Sequence, residues 1–322
     1  MRVLVTGSSG FIGQNLLAAL GDRGVPFDVD HDQDAMMKSD VVKAMEGVDA
    51  VVHLAAVTGV ELSINEPEAS ILNIMMVQTV LDACRKTGAA FFMASTAGAL
   101  SGAPRSPYAA SKLAGEAYCS AYTYSYGVRT AVLRFGNVYG PGSGDKKTAI
   151  ASACRALATD TPFRLYGDGS QRRDFIYVGD LCRGIVQAVD AEVEGQFNLS
   201  SGKLERLDTV IETLAKVSGR RLRIDRQEGR KGEAEPTRID IRPARHEFKK
   251  VRRHGFDAGL LQHDLRQPDP VGIGALTRQR PPGQPPAMQV VPAKQQRIAV
   301  LDVRLDRRAL CLYDTRRTHA AV

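Results

Sequence analysis

The first twenty residues combine a short apolar strand, a glycine-containing turn and a helix in direct succession. Residues 3–5 are apolar, and residues 11–20 carry apolar side chains at helical spacing. Gly7, Gly10 and Gly13 lie where the strand turns into the helix. This order predicts the opening unit of an α/β fold with a parallel sheet.

Each of these glycines has a physical reason in a turn that binds a dinucleotide. Gly7 permits a tight turn, Gly10 lets the backbone approach a pyrophosphate, and Gly13 lets the helix pack closely on the strand. The helix that begins at Phe11 and Ile12 offers free N–H groups and a partial positive charge to phosphates. The simpler alternative is a glycine-rich loop that only joins strand to helix.

Strands alternate with helices through the first 145 residues, as in a parallel sheet that is covered on both faces. The pattern predicts strands at 49–56, 90–96 and 130–135, and helices at 68–87 and 108–126. From about residue 146 the alternation becomes irregular. We therefore predict a Rossmann-type, doubly wound parallel sheet with a smaller α/β substrate lobe.

The chain is predicted to divide into three regions. Residues 1–145 form the nucleotide-binding domain, to which 174–200 return, and 146–266 form mainly the substrate-binding lobe. Residues 267–322 are an atypical tail, since 7 of the 15 prolines lie within 268–292. Such a segment, without helical periodicity, is typical of a disordered or extended linker.

An acidic residue ends the second predicted strand, which runs from Pro26 to Asp30. Asp30 lies 17 positions after Gly13, where a carboxylate suits the ribose hydroxyls of an adenosine and repels a 2′-phosphate. No arginine follows, and Asp32 and Asp34 make the neighbourhood acidic, so NAD is favoured over NADP. The alternative is that Asp30 is a solvated loop charge.

Tyr108 and Lys112 lie one turn apart on the helix at 108–126, and therefore on one face of it. A lysine beside a tyrosine favours the phenolate and lowers a phenol pKa that is ordinarily about 10. Such a tyrosine can take or give a proton near neutral pH, as hydride chemistry at a carbinol needs. This spacing of tyrosine and lysine is common by chance, so the support for a catalytic pair comes mainly from the glycine turn upstream.

Composition narrows the classes of function. No stretch is apolar enough to cross a membrane, and the chain enters its first strand without a signal peptide. The five cysteines include no CxxC pair, which fits reduced thiols better than disulfides or a zinc site. Residues 1–219 hold 20 Lys+Arg against 24 Asp+Glu, so the net charge of +7 comes from the last third. Basic runs there, without a reader motif, favour solvated surface over nucleic-acid binding. We expect a cytoplasmic protein with no metal, nucleic-acid or membrane partner.

Several sequence blocks occur together in a fixed order. They are Thr6–Gly13, Asp49–Ala56, Ser63 to Pro67, Asn73, Ser95-Thr96, Tyr108–Lys112 with Glu116, Arg134–Pro141, Tyr166–Leu181 and Phe197–Gly202. In this combination the chain resembles the extended short-chain dehydrogenases/reductases of the NAD-dependent nucleotide-sugar epimerase/dehydratase family, UDP-glucose 4-epimerases in particular. The resemblance covers about residues 1–260.

The resemblance implies roles for individual residues. Tyr108 would be the acid/base, and Lys112 would bind the nicotinamide ribose while holding down the pKa of the phenol. Thr96 would donate to the sugar oxygen, with Ser95 as its alternative. The residues implied to bind NAD are Gly7, Gly10, Phe11, Ile12, Gly13, Asp30, Asp40, Val41, Leu54, Ala55, Ala56, Asn73, Tyr108 and Lys112.

The resemblance also implies a site for the diphosphate of a nucleotide sugar. Asn137 and Arg173 would hold it, and arginine suits this task because its planar, permanently charged fork matches phosphate oxygens. For Arg173 the alternative is an ion pair with Asp174.

The residues after Thr96 help to choose the reaction. Family members that eliminate water usually carry an Asp-Glu pair there, because elimination needs a further acid and base. This chain has Ala97 and Gly98 instead. Dehydratase chemistry is therefore disfavoured. The favoured reaction is C4 epimerisation of a UDP-hexose through a transient 4-keto sugar, and a nucleotide-sugar reductase or decarboxylase is the alternative within the family. The alternative of another class is a non-catalytic NAD-binding partner protein. The family also implies a homodimer through helices 68–87 and 108–126.

Three departures from the family pattern have structural consequences. Only 12 positions separate Thr96 from Tyr108, which trims the rim of the predicted site. Residues 31–48 are compact, so we expect the third strand of a fully wound sheet to be short or missing. The tail at 267–322 lacks the helical segment with which the family usually ends.

Overall fold

The computed structural model describes residues 1–100, 103–144, 146–229 and 239–248. Within them the strands are β1 (Val3–Thr6), β2 (Gly24–Phe27), β3 (Ala50–His53), β4 (Ala90–Thr96), β5 (Thr130–Phe135), β6 (Asn137–Tyr139), β7 (Phe163–Tyr166), β8 (Arg172–Tyr177), β9 (Gly195–Leu199), β10 (Leu204–Arg206) and β11 (Ile224–Gln227). The α-helices are α1 (Phe11–Leu20), α2 (Lys38–Ala44), α3 (Val60–Asn65), α4 (Ala69–Thr87), α5 (Pro107–Tyr126), α6 (Ala149–Thr159), α7 (Val178–Asp190), α8 (Leu207–Ser218) and α9 (Arg242–Phe248). The predicted tail at 267–322 lies outside the described residues.

A parallel sheet of six strands, in the order β2-β1-β3-β4-β5-β9, forms the centre of the described part of the chain. β1 and β3 end level with each other, since Thr6 pairs with His53. β4 and β5 continue three residues beyond them and end level at Thr96 and Phe135. Parallel neighbours require crossover connections, and these supply the helices on both faces. The predicted α/β, Rossmann-type fold is confirmed.

Both faces of the central sheet are buried. Val3 and Val5 pack in a core with α1 and α7, whereas Leu4, between them, packs in a second core with α2, α4 and α5. Successive strand residues point to opposite faces, so a strand covered on both sides must be apolar throughout. This explains the continuous apolar run at the start of the sequence.

The edge of the sheet beside β1 differs in detail from the prediction. The second strand ends at Phe27, not at Asp30, because the Asp28 side chain accepts the Asp30 N–H at 3.2 Å and caps a 3-10 turn at Val29–His31. The segment 31–48 then forms the short helix α2 instead of a further strand, as its compactness predicted. β2 is therefore the edge strand.

A second group of elements follows β5. β8 pairs with β6 in parallel and with β10 in antiparallel fashion, while β7 pairs with β11. Side chains of α6, α8 and β7, such as Leu157, Leu214 and Phe163, share a separate apolar core. Helix α7 and strand β9 return the chain to the central sheet. The predicted domain boundaries themselves stay a prediction.

Candidate active site

The turn between β1 and α1 has no room for side chains at two of its glycines. Gly7 has a φ of 73°, in the left-handed region, and a Cβ on it would lie 2.7 Å from the backbone nitrogen of Ala55. A Cβ on Gly13 would lie 2.2 Å from the carbonyl oxygen of Gly7. The close packing brings the N-terminus of α1 to the sheet edge. Its first N–H groups, which have no acceptor within a helix, therefore face the site.

A cavity of about 800 Å³ runs along the carboxyl ends of β1 to β5. This volume suits a cofactor or small molecule, and this edge is where open parallel sheets bind ligands. The predicted site residues that line it are Gly7, Gly10, Phe11, Ile12, Gly13, Asp30, Leu54, Ala55, Ala56, Tyr108, Lys112 and Asn137.

The start of α5 places Tyr108 in its first turn. Ser106 caps the helix by accepting the Ala109 N–H at 3.2 Å, and Pro107 occupies the first helical position. The Ser111 hydroxyl donates to the Tyr108 carbonyl at 2.8 Å. Tyr108 and Lys112 both line the cavity from one face of the helix, as their spacing predicted.

Lys112 is anchored to the strand below it. Its Nζ donates to the carbonyl oxygen of Ala94 at 3.0 Å and lies 5.9 Å from the centroid of the Tyr108 ring. Burial lowers the pKa of Lys112 to about 8 and raises the pKa of Tyr108 to about 12. The expected lowering of the phenol pKa by Lys112 is thus wrong for the protein alone, because desolvation of the phenolate dominates.

The two candidate hydroxyls at the end of β4 differ in placement. Ser95 lines the cavity, whereas Thr96 is not among the described residues that do. The Thr96 Oγ1 accepts the Gly98 N–H at 3.3 Å and caps the 3-10 turn at Ala97–Ala99. Because successive strand residues face opposite sides, a difference of one position decides which hydroxyl faces the cavity. The Ser95 hydroxyl, however, donates to the buried Glu116 carboxylate at 2.5 Å, so the choice between Thr96 and Ser95 as the donor to the sugar stays a prediction.

Asp28, and not the predicted Asp30, is the acid at the end of β2. Its carboxylate accepts the Ser9 N–H of the glycine turn at 2.9 Å and is half-buried, whereas Asp30 is exposed on the 3-10 turn. Both line the cavity. The strand ends three residues earlier than predicted, so the acid that directly follows it is Asp28.

Three residues predicted to bind the cofactor face elsewhere. Asp40 and Val41 are not among the described residues that line the cavity, and Val41 is buried in the core beneath α2. Asp34 and Ala35, an acid–apolar pair six positions earlier, line it instead. The sequence shows both acid–apolar pairs, at 34–35 and at 40–41. Because the segment 31–48 is compact, the sequence did not show which of the two lies at the cavity.

Asn73, the third, is buried and holds the loop after β3 instead of facing the cavity. Its Oδ1 accepts the Val57 N–H at 2.7 Å, and its Nδ2 donates to the Val57 carbonyl and to the Ser111 hydroxyl, each at 3.1 Å. Val57 lines the cavity. Asn73 therefore fixes the cavity wall from behind and joins it to α5.

Residues 3–200 match the model of the NAD dependent epimerase/dehydratase family. The chain belongs to this family. The protein is therefore an enzyme of an NAD-dependent family. Among its relatives is a protein of Bacillus subtilis described as an uncharacterized UDP-glucose epimerase, YtcB, which is 28% identical over 76% of this chain and 91% of its own length. The GDP-6-deoxy-D-mannose reductase of Pseudomonas aeruginosa is 31% identical over 74% of this chain and 87% of its own.

A solved structure shows the same likeness in three dimensions. The UDP-glucose 4-epimerase of Thermus thermophilus, in complex with NAD, superposes with a TM-score of 0.73 at 28% identity. The match covers 86% of this chain and 99% of that protein. Fold and family thus agree along nearly the whole described part of the chain.

The lining of the cavity fits the family's cofactor. Gly7 and Gly13 approach other backbone so closely that any Cβ would fill the cradle, and the N–H groups at the start of α1 would hold the pyrophosphate. Asp28 or Asp30 would hold the adenosine ribose, and Lys112 the nicotinamide ribose. When bound, NAD supplies a hydride acceptor and a positive charge that favours ionisation of a nearby phenol.

The two residues predicted to hold a diphosphate differ in their access to the cavity. Asn137 lines the cavity, and its Nδ2 donates to the Asp174 carbonyl at 3.3 Å. Arg173 is not among the described lining residues, and one of its donors reaches the Arg172 carbonyl at 2.8 Å. The Asp174 carboxylate accepts hydrogen bonds from the turn 200–202. The role of Arg173 stays a prediction.

Among the described residues no group of three or more His, Cys, Asp or Glu side chains could hold a metal ion. No helix in the described ranges has both the length and the apolar character needed to span a bilayer.

Proposed function

We propose that the protein is an NAD-dependent nucleotide-sugar epimerase that inverts C4 of a UDP-hexose through a transient 4-keto sugar. One observation carries the proposal: Tyr108 and Lys112 line the same cavity as the glycine cradle. The acid–base pair and the cofactor site therefore share one space. The UDP-glucose epimerases among the relatives and solved structures support the substrate class.

The proposed reaction combines a proton transfer, which Tyr108 would carry out, with a hydride transfer, which needs the cofactor. With NAD bound, the C4 hydroxyl would give its proton to Tyr108 in its phenolate form as C4 loses a hydride to the cofactor, which would form the C4 ketone. After the keto sugar rotates, C4 would regain a hydride on its other face and Tyr108 would give the proton back. Lys112, held by the Ala94 carbonyl, keeps a positive charge beside the phenol. Because the net reaction leaves NAD unchanged, no second redox substrate is needed.

Side chains on the remaining cavity wall would select the substrate. Asn137, which lines the cavity, would contact the nucleotide diphosphate, with Arg173 as its predicted partner. The Ala97–Ala99 turn supplies no acid or base at the positions where dehydratases carry an Asp-Glu pair. This feature favours epimerisation over elimination of water.

A reductase of a nucleotide sugar is the second candidate. It is favoured by one observation, the 31% identity to a GDP-6-deoxy-D-mannose reductase. A reductase would consume NADH with each turnover, whereas an epimerase would not. The absorbance at 340 nm under steady turnover therefore separates the two.

The proposal is tested with cofactor and substrate together. The purified protein is denatured and any released nucleotide identified, and native protein is incubated with UDP-, GDP- and dTDP-hexoses. We expect NAD, and interconversion of UDP-glucose and UDP-galactose detected by chromatography. Tyr108→Phe should reduce turnover at least ~1,000-fold while NAD stays bound. Near-normal turnover of that variant, or no conversion of any nucleotide sugar, would refute the proposal.

A homodimer is also proposed for the enzyme. On α4, Ile71 and Met75 are exposed one turn apart, and on α5 Tyr118 is partly exposed. Exposed apolar side chains grouped on neighbouring helices are typical of an association surface. Cytoplasmic localisation stays a prediction.

A further inference from the structure

Behind the lysine that lines the cavity, a buried ion pair joins helix α5 to two strands. Glu116 is 2% exposed, and its Oε1 accepts the Ser95 hydroxyl at 2.5 Å and the Arg134 Nε at 2.9 Å. Its Oε2 accepts a second hydrogen bond from Arg134. Ser95 and Arg134 face each other across the register of β4 and β5. One carboxylate thus binds the ends of two adjacent strands.

The position of Glu116 on α5 connects this pair to the reacting groups. Tyr108, Lys112 and Glu116 are spaced by four residues, so they lie along one face of the helix over about 12 Å. Lys112 donates to the carbonyl of Ala94, the residue that precedes Ser95 on β4. Lys112 and Glu116 therefore bind neighbouring residues of the same strand. Together they fix both the height and the rotation of α5 above the sheet.

We propose that Glu116, held by Arg134, is a positioning residue of the reaction, which sets Lys112 and Tyr108 at the cavity through the end of β4. The Ser95 hydroxyl donates to Glu116, and this bond ties the residue that follows Ala94 to α5. Without it the Ala94 carbonyl and the helix would be free to shift against each other. The link to catalysis rests on the proposed function, whereas the link to NAD binding does not.

The test compares variants whose stability and activity are expected to fall in opposite order. Glu116→Gln keeps an acceptor for Ser95 but leaves the Arg134 charge without its counter-ion. The double variant Glu116→Met/Arg134→Met removes the charge pair and every acceptor, and such apolar replacements of buried pairs are often neutral in stability. We expect the double variant to be the more stable of the two. Its kcat should nevertheless fall at least ~10-fold below that of Glu116→Gln, and its Kd for NAD should rise about fivefold above it.

Thr123→Val is the matched control, because Thr123 joins the same helix to β5, the strand of Arg134, at the opposite end of that strand. Its hydroxyl contacts Thr130 Oγ1 at 2.8 Å, three turns of helix beyond Lys112. This variant should lose stability without a change in kcat or in NAD affinity. If activity and NAD affinity follow stability across all variants, Glu116 is only structural and the proposal fails.

Glu116→Asp decides the question if the double variant does not fold. It keeps the charge for Arg134 but is one methylene shorter, so it cannot hold both partners in place. Positioning predicts weaker NAD binding than in Glu116→Gln, and a purely electrostatic role predicts tighter binding. NAD affinity is measured by isothermal titration calorimetry without a sugar. If the parent protein converts no nucleotide sugar, the epimerase proposal fails, but this comparison still decides the role of Glu116.

Discussion

At the scale of single residues, the site holds charges that are costly to the fold but needed for chemistry. Lys112 is buried with its ammonium against one carbonyl, and burial lowers its pKa from 10.5 to about 8. Folding therefore removes most of the water around the Lys112 ammonium, which stays hydrated in the unfolded chain. Sequence alone indicated the pairing with Tyr108, but not which effect would dominate the two pKa values, because burial depends on the packing of distant segments.

Lys112→Met should stabilise the NAD-free protein while abolishing turnover. Because the folded-state pKa is below that of the unfolded chain, the cost of the buried charge is fully present below pH 8. It disappears as the pH rises from about 8 to about 10.5. The gain in unfolding free energy should be on the order of 1–3 kcal/mol at pH 7 and absent at pH 11. Urea unfolding at a series of pH values measures it.

Tyr108→Phe serves as the control for this pH dependence. The phenol pKa is raised from 10 to about 12, so Tyr108 is neutral in both the folded and the unfolded chain below pH 9. Its replacement should change stability by a constant amount between pH 7 and pH 9. A constant effect of Lys112→Met over the same range would show that the ammonium is not buried as described.

The acid that holds the adenosine ribose can be settled by two single variants. Asp28 is half-buried and already accepts the Ser9 N–H of the glycine turn, whereas Asp30 is exposed. Asp28→Asn should therefore weaken NAD binding about tenfold, and Asp30→Asn by less than about twofold. Isothermal titration with NAD and NADP gives both values. The opposite order would restore Asp30 as the ribose-binding acid.

At the scale of elements, predictions succeeded where one local signal marks each end. The predicted strands at 90–96 and 130–135 match β4 and β5. Helix α5 differs from the predicted helix at 108–126 only because it also includes Pro107 at its start. A glycine with positive φ, Gly127, ends that helix. The second strand was predicted too long because its end depends on Asp28, whose side chain folds back onto its own backbone. Alternation of apolar and polar residues cannot reveal such a cap.

Gly13→Ala tests the packing of α1 against β1. The added methyl would meet the Gly7 carbonyl at 2.2 Å, and that contact is with backbone, which cannot rotate away. The helix must shift, so we expect a loss of about 1–3 kcal/mol in stability and at least ~10-fold weaker NAD binding. Gly144→Ala, where a Cβ would have no neighbour within 4 Å, is the control and should change neither. Unchanged NAD affinity in Gly13→Ala would argue against the cradle.

At the scale of the whole molecule, the order of motifs was enough to predict the sheet and the edge where it binds ligands. It was not enough to predict which residues line the walls of the cavity. The strands β1 and β3 to β5 bring distant blocks to one edge because parallel strands end together. Which residue of each block faces the cavity depends on one-residue differences, as Ser95 and Thr96 show. Asn73 likewise matched a family block yet faces the protein interior.

Association of two copies is the property of the whole molecule that the described surface allows to be tested. Ile71 and Met75 on α4 are 57% and 48% exposed, although both side chains are large and apolar. We expect light scattering to give the mass of a dimer, and Ile71→Glu/Met75→Glu to halve it because two charges would be buried in the interface. NAD binding should persist, since neither side chain lines the described cavity. Ile224→Glu, at an exposed residue of β11, is the control and should leave the mass unchanged. A monomeric parent protein, or a double variant that remains dimeric, would exclude this face of α4 as the interface.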